Sequence, residues 1–127
     1  MHFVTPLVFP SGLSACGPGE CRGGAVTIGA GAHTRDLLGK AHAQEPPVLA
    51  VTGECPTVGV AGGLVQGVGH GPLTTLRGFV VDNALSFDFI TANGKYVAAN
   101  ADSNPNLLWV LKGGGPSTSA AVLTATF

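Results

Sequence analysis

Apolar and polar residues alternate along Ala84-Leu85-Ser86-Phe87-Asp88-Phe89-Ile90-Thr91, the pattern of a strand buried on one face. Asn93-Gly94 then reads as a type I′ turn, and Lys95-Tyr96-Val97-Ala98-Ala99 returns, so this stretch predicts an antiparallel hairpin. Upstream, the β-branched run Ala25-Val26-Thr27-Ile28-Gly29 predicts a short buried strand that stops at Gly29-Ala30-Gly31. The period then changes to a helical one. Leu37, Leu38 and Ala41 share a face, Thr34 is the expected N-cap, Asp36 sits in the first turn, and Asp36 with Lys40 forms an i,i+4 pair. Pro46-Pro47 ends that helix, and Val48-Leu49-Ala50-Val51-Thr52 predicts a second buried strand. Further on, Asn104-Pro105 is an N-cap followed by Pro at the first helical position. Leu107, Leu108 and Leu111 form the apolar face of this second helix, Gly113 stops it, and Trp109, off that face, is expected to bury against a neighbouring element. Ala120 to Phe127 reads as a last strand with no element after it.

Two segments carry no period. Residues 1–23 mix Pro, Gly, Ser and two Cys, and form an irregular lead-in to an ordered unit that spans residues 24–127. Gly53 to Gly71 contains seven Gly, with Cys55 and His70 among them. Glycine at this density exposes backbone N–H groups and lets main chain approach a pyrophosphate or a flat ring. Neither the Walker pattern nor a Gly-x-Gly-x-x-Gly ahead of a helix is present.

Composition narrows the classes. The chain has 127 residues, enough for one domain or a piece of one. It is 45% hydrophobic and only 10% charged, against roughly 25% charged in ordinary soluble domains, so some of its apolar surface is expected to lie against further protein. Six Lys and Arg against seven Asp and Glu leave a net charge of -1, with no basic field for nucleic acid or an anionic membrane surface. No apolar run is long enough to span a bilayer. Phe3 to Phe9 is apolar but is broken by Pro6 and lacks a basic start, so it is not read as a signal peptide; Leu13-Ser14-Ala15-Cys16 is set aside as a lipoprotein site for the same reason. Localisation stays unassigned. Cys16 and Cys21 can close a small loop if the protein is secreted, which leaves Cys55 alone. No His/Cys cluster has zinc spacing, so no metal is expected.

The order of residues in Gly53-Glu54-Cys55-Pro56-Thr57-Val58-Gly59, then Gly62-Gly63, then Gly69-His70-Gly71, resembles the flavin loop of berberine-bridge-enzyme-like oxidases. Gly78, Asp82-Asn83, Asn104-Pro105 with Leu108-Trp109, Gly113-Gly114-Gly115 and the closing strand follow in the family's order, so the resemblance covers residues 24–127. Fungal members of the wider vanillyl-alcohol-oxidase group, including those described as isoamyl alcohol oxidases, are nearest in wording. The resemblance implies an α+β fold: the second subdomain of a PCMH-type FAD-binding domain, a mixed or antiparallel sheet flanked by helices. It also implies FAD as cofactor and a small-molecule substrate. The expected reaction moves hydride from an alcohol or amine C–H to the flavin, with oxygen as the final acceptor and hydrogen peroxide as product.

Residue by residue, the resemblance makes Cys55 the sulfur that bonds the flavin, helped by a thiol pKa that nearby backbone N–H groups lower. Pro56, Thr57, Val58, Gly59, Val60, Gly62, Gly63, Gly69, Gly71 and Val122 match positions along the cofactor. Val58 is either an oxygen gate or a plain core residue. His70 hydrogen-bonds or shapes the cavity, and without a carboxylate it is weak as a general base. Asp82 and Asn83 either cap their loop or touch the flavin. The family's Gly-Gly-His stretch, whose His makes a second flavin bond, is not found, and Ser119 stands where an aromatic is usual. The acid/base groups belong to a substrate domain beyond residue 127, so the catalytic residues stay unassigned. The expectation is a fragment of an oxidase that docks on the remainder; the alternative is an inactive remnant or interaction piece. Family members are often secreted.

Overall fold

The computed structural model describes residues 25–43 and 49–127. The lead-in segment, Cys16 and Cys21 lie outside these residues.

Among the described residues four strands form one sheet in the order β1-β4-β2-β3, with every pairing antiparallel, beside three short helices. The fold is α+β. β1 is Thr27–Gly29, β2 is Ser86–Thr91, β3 is Tyr96–Asn100 and β4 is Ala120–Thr126. The closing strand therefore runs through the middle of the sheet, with Thr126 opposite both Thr27 and Ser86. The alternation in β2 has the predicted outcome: Phe87 and Phe89 are buried, while Ser86, Asp88 and Ile90 are half-buried on the other face. Asp88 is opposite Thr124 and Phe89 is opposite Val122, so Leu123 is an extra residue, and its carbonyl accepts from the Ala30 amide at 2.7 Å.

The hairpin between β2 and β3 closes differently from the type I′ expectation. Gly94 has φ 79° but Asn93 is not in the positive region, and the Gly94 amide donates to the Thr91 carbonyl at 2.9 Å. Thr91 N–H donates to Lys95 O at 2.9 Å, which makes a three-residue loop with glycine in the left-handed bulge position.

Helix α1 is Thr34–His42, with Leu37 and Ala41 buried and Leu38 turned outward at 40% exposure. Its N-cap is His33, one residue before the expected Thr34. Thr34 is drawn inside because its hydroxyl lies 3.4 Å from both the Val58 carbonyl and Thr52 Oγ1. Asp36 Oδ2 accepts from the His33 amide at 2.9 Å, and that bond holds its carboxyl below the usual aspartate range.

Of the second predicted strand, Val48 lies outside the described residues, and Leu49 to Thr52 has no ladder. The partner of β1 is instead β4, almost a hundred residues away, which no local pattern reveals. Helix α2 is Thr74–Arg77 and α3 is Pro105–Leu111. Of the predicted apolar face of α3, Leu111 is buried and Leu108 packs against the core, but Leu107 is exposed; Trp109, expected to be buried, is 79% exposed. The core joins Ile28 and Leu37 to Phe87, Phe89, Val122 and Ala125, with Val60, Ala61, Val65 and Val80 between sheet and Gly-rich segment.

Candidate functional site

The loop from Gly53 to Gly59 lies across the start of α1. The amide of Arg35 donates to Pro56 O at 3.1 Å and that of Thr34 to Val58 O at 2.9 Å. In return Val60 N–H donates to Ala32 O at 3.1 Å, and His33 and Gly59 form an isolated antiparallel bridge. Two first-turn donors of α1 are thus satisfied by this loop rather than by an anion. With its carbonyls held inward, the loop turns Cys55, Pro56 and Thr57 to the outside, while Val58 is half-buried.

Cys55 is a free, exposed thiol whose Sγ lies 3.6 Å from Thr57 Oγ1. The Thr57 hydroxyl, and after it the backbone N–H groups of Thr57 and Val58, pull the thiol pKa below its ordinary value; desolvation opposes them weakly. The arrangement shifts the thiol toward its thiolate form and leaves it open to an electrophile.

Beyond this loop the glycines take a definite form. Val60–Leu64 is a π-helical turn, in which Leu64 and Val65 donate five residues back, to Gly59 and Val60, at 3.0 Å each. Val60 and Ala61 are buried, and Gly62 and Gly63 are half-exposed on the other side. A β-carbon on Gly63 would meet no heavy atom within 4 Å. At Gly63 the bare main chain can lie against a flat or phosphate-bearing group without a side chain between them, whereas the β-carbon direction of Gly62 faces the Ala30 carbonyl at 3.4 Å.

Val68 and Gly69 both have positive φ, 75° and 72°. Their carbonyls accept from Val81 and Val80, at 3.0 and 2.9 Å, which ties the strip to the 3₁₀ turn Val80–Asn83. A β-branched residue in the left-handed region is strained, and nothing in the local pattern marks Val68 for it. His70 is exposed, and Gly71 is buried with its N–H donating to Thr74 Oγ1 at 2.9 Å.

Asp82 and Asn83 are engaged in their own loop. Asp82 Oδ2 accepts from Phe79 N at 2.8 Å, and Asn83 Nδ2 donates to Phe79 O at 2.9 Å and to Arg77 O at 3.3 Å. Val60, Val122, Gly69 and Gly71 are buried, so their influence on a surface ligand runs through the backbone they hold. The Cys55 loop meets the His70 turn and the π-turn at Gly53, which lies against the His70 carbonyl and the Leu64 side chain; Asp82 and Asn83 bond within their own loop, and Val122 lies in the core. Gln66 escapes sequence reasoning altogether: it is 2% exposed, it donates to two carbonyls of the π-turn, and its only signal is one polar residue among glycines.

No family model matches the chain. It is similar to the FAD-linked oxidoreductase ZEB1 of Gibberella zeae, 46% identical over 104 residues, which is 82% of this chain and 18% of that protein. Among solved structures it is similar to the VAO-type flavoprotein MtVAO615 of Myceliophthora thermophila, with TM-score 0.87, 35% identity, and coverage of 99% of this chain and 22% of that one. It is also similar to a glucooligosaccharide oxidase of Acremonium strictum described with a 6-S-cysteinyl, 8α-N1-histidyl FAD: TM-score 0.74, 31% identity, 81% of this chain and 21% of that one. The chain spans about a fifth of the length of these three proteins.

Proposed function

We propose, for a chain that belongs to the FAD-linked oxidoreductases of the vanillyl-alcohol-oxidase and berberine-bridge-enzyme-like type, that it forms one wall of an FAD site with Cys55 as a point of covalent attachment. The observation that carries this reading is the exposed Cys55 thiol, acidified by Thr57, on a loop fastened to α1 next to bare Gly62-Gly63 backbone. The cysteinyl FAD named for the glucooligosaccharide oxidase supports it.

When bound, the flavin supplies a two-electron acceptor for hydride from an alcohol or amine C–H, with oxygen as the final acceptor. The chain's own residues hold and orient it. Cys55 would present a polarisable nucleophile for carbon 6 of the ring system, where a C–S bond would replace the C–H bond, the proton leaving to solvent and the two electrons passing by way of the ring to oxygen, and Thr57 stabilises the thiolate by hydrogen bonding. Gly62 and Gly63 offer backbone for close approach, and His70 flanks the same region as a hydrogen-bonding group. Asp82 and Asn83 support the 80–83 turn, which in turn holds Val68 and Gly69 in place. Val58, half-buried beside the thiol, is the candidate control on oxygen access. The small-molecule substrate meets its acid/base groups on protein outside these residues.

The test is to incubate the chain with FAD, precipitate it with acid and weigh its peptides. Flavin mass on the Cys55 peptide, absent in Cys55→Ala, is the expected result. A colourless pellet with an unmodified Cys55 peptide overturns the attachment, and if native gel filtration also separates the chain from FAD the reading as an inactive remnant stands instead.

A further inference from the structure

Gln66 joins two observations that the flavin reading does not use. The hydrogen-bond ladder changes register beside it: Leu64 and Val65 donate five residues back, whereas Gly67 donates four back, to Gly63. The carbonyls of Ala61 and Gly62 sit at that step, and Gln66 Nε2 donates to both, at 3.4 and 2.8 Å. At the other end of the same amide, Oε1 is buried with no hydrogen-bond partner.

Turning the amide over does not repair this, because the oxygen would then face two carbonyl acceptors. A buried acceptor without a partner is unfavourable, and an apolar side chain of similar volume would fill the space without that cost. Nor does a ligand on the Gly62-Gly63 strip supply the missing donor, since Oε1 is already closed off with no ligand present. The amide's donor end is therefore the reason for a glutamine here.

We propose that Gln66 is a positioning residue that locks the π register of Val60–Leu64 and so sets how the Gly62-Gly63 backbone meets the flavin. Its functional half rests on the FAD reading above. Without the donor, the segment can return to four-residue bonding, which turns the residues beyond the step by about 100° around the helix axis.

The experiment compares the parent chain with Gln66→Leu and Gln66→Glu, measuring hydrogen exchange of the Leu64, Val65 and Gly67 amides and FAD binding by flavin fluorescence. Gln66→Leu should melt no lower than the parent, yet exchange about tenfold faster at these amides and bind FAD about tenfold more weakly, the scale of one lost hydrogen bond. In Gln66→Glu both properties should recover only at acid pH, where a protonated carboxyl can donate to Gly62 O. That comparison is made within one variant and stands even if Gln66→Leu does not fold. Parental exchange in Gln66→Leu overturns the proposal, as does a Gln66→Glu protein whose exchange, taken relative to the parent at the same pH, does not change with pH. Should the parent take up no FAD, the flavin reading falls by itself; exchange then decides this one, quickened rates with acid rescue upholding the register lock and parental rates overturning it.

Discussion

The carbonyl oxygen of Thr52 occupies the volume where a β-carbon on Gly71 would stand, so these two stretches of main chain meet with no side chain between them. The contact joins the approach to the Cys55 loop to the turn that carries His70, two parts of the candidate site 19 positions apart in sequence. Neither backbone can step aside cheaply, because Gly71 N–H is bonded to Thr74 Oγ1 and Thr52 is buried. Gly71→Ala should therefore lose about 1–3 kcal/mol or more, the range for overpacking. An unchanged urea midpoint would refute the contact.

The thiol of Cys55 owes its lowered pKa first to the Thr57 hydroxyl. A depressed native pKa means that thiolate appears at lower pH than in the unfolded chain. The associated stabilisation is full above the unfolded thiol pKa and is lost as pH falls through the native one. Thr57→Val should move the inflection of iodoacetamide alkylation upward in pH, toward the ordinary thiol value. The same inflection in both proteins would remove Thr57 from the account.

Val68 adopts φ 75°, a conformation that costs an L-residue about 1–2 kcal/mol and glycine almost nothing. Substituting glycine relieves that strain but frees the unfolded chain and gives up a half-buried side chain; alanine gives up the packing and keeps the strain. The usual order of these two substitutions should therefore reverse here. Val68→Gly is expected to be more stable than Val68→Ala by about 0.5–1 kcal/mol in thermal unfolding.

Gly39 and Gly94 both have open space where a β-carbon would go, but only Gly94 has positive φ. Gly39 lies inside α1, so Gly39→Ala should stabilise the fold by about 0.5–1 kcal/mol. Gly94→Ala should destabilise it by about 1–2 kcal/mol through strain in the hairpin bulge. Denaturant midpoints that move in the same direction for both would contradict the backbone geometry of one of them.

Much of the local structure was legible in residue order. The Phe87-Asp88-Phe89 alternation placed β2 with its buried face, and Asn104-Pro105 marked the start of α3. The flavin-loop wording around Cys55 located the candidate site, because a thiol flanked by Pro56-Thr57-Val58-Gly59 is a local signal that needs no fold to be read. Where a side chain's environment is made by distant chain, the local signal misled. Trp109 looked ready for burial yet points outward, since the phase of α3 and the position of the sheet decide which face is covered. Leu49 to Thr52 has the composition of a strand, but a ladder needs a partner edge, and the edge of β1 that is paired belongs to β4.

By itself, then, the sequence determined the elements with short-range causes: the β2–β3 hairpin, two of the helices, the glycine-rich strip and the cysteine motif within it. Tertiary structure alone decided that the last strand lies at the centre of the sheet, that the hairpin closes on a Gly94 bulge, and that the strip winds as a π-turn held by Gln66. Propensity and pattern act over a few residues, whereas strand order, hydrogen-bond register and the burial of one amide are set by contacts between segments up to a hundred positions apart. Cys55 could be found in the letters; the bonds from α1 that turn it outward could not.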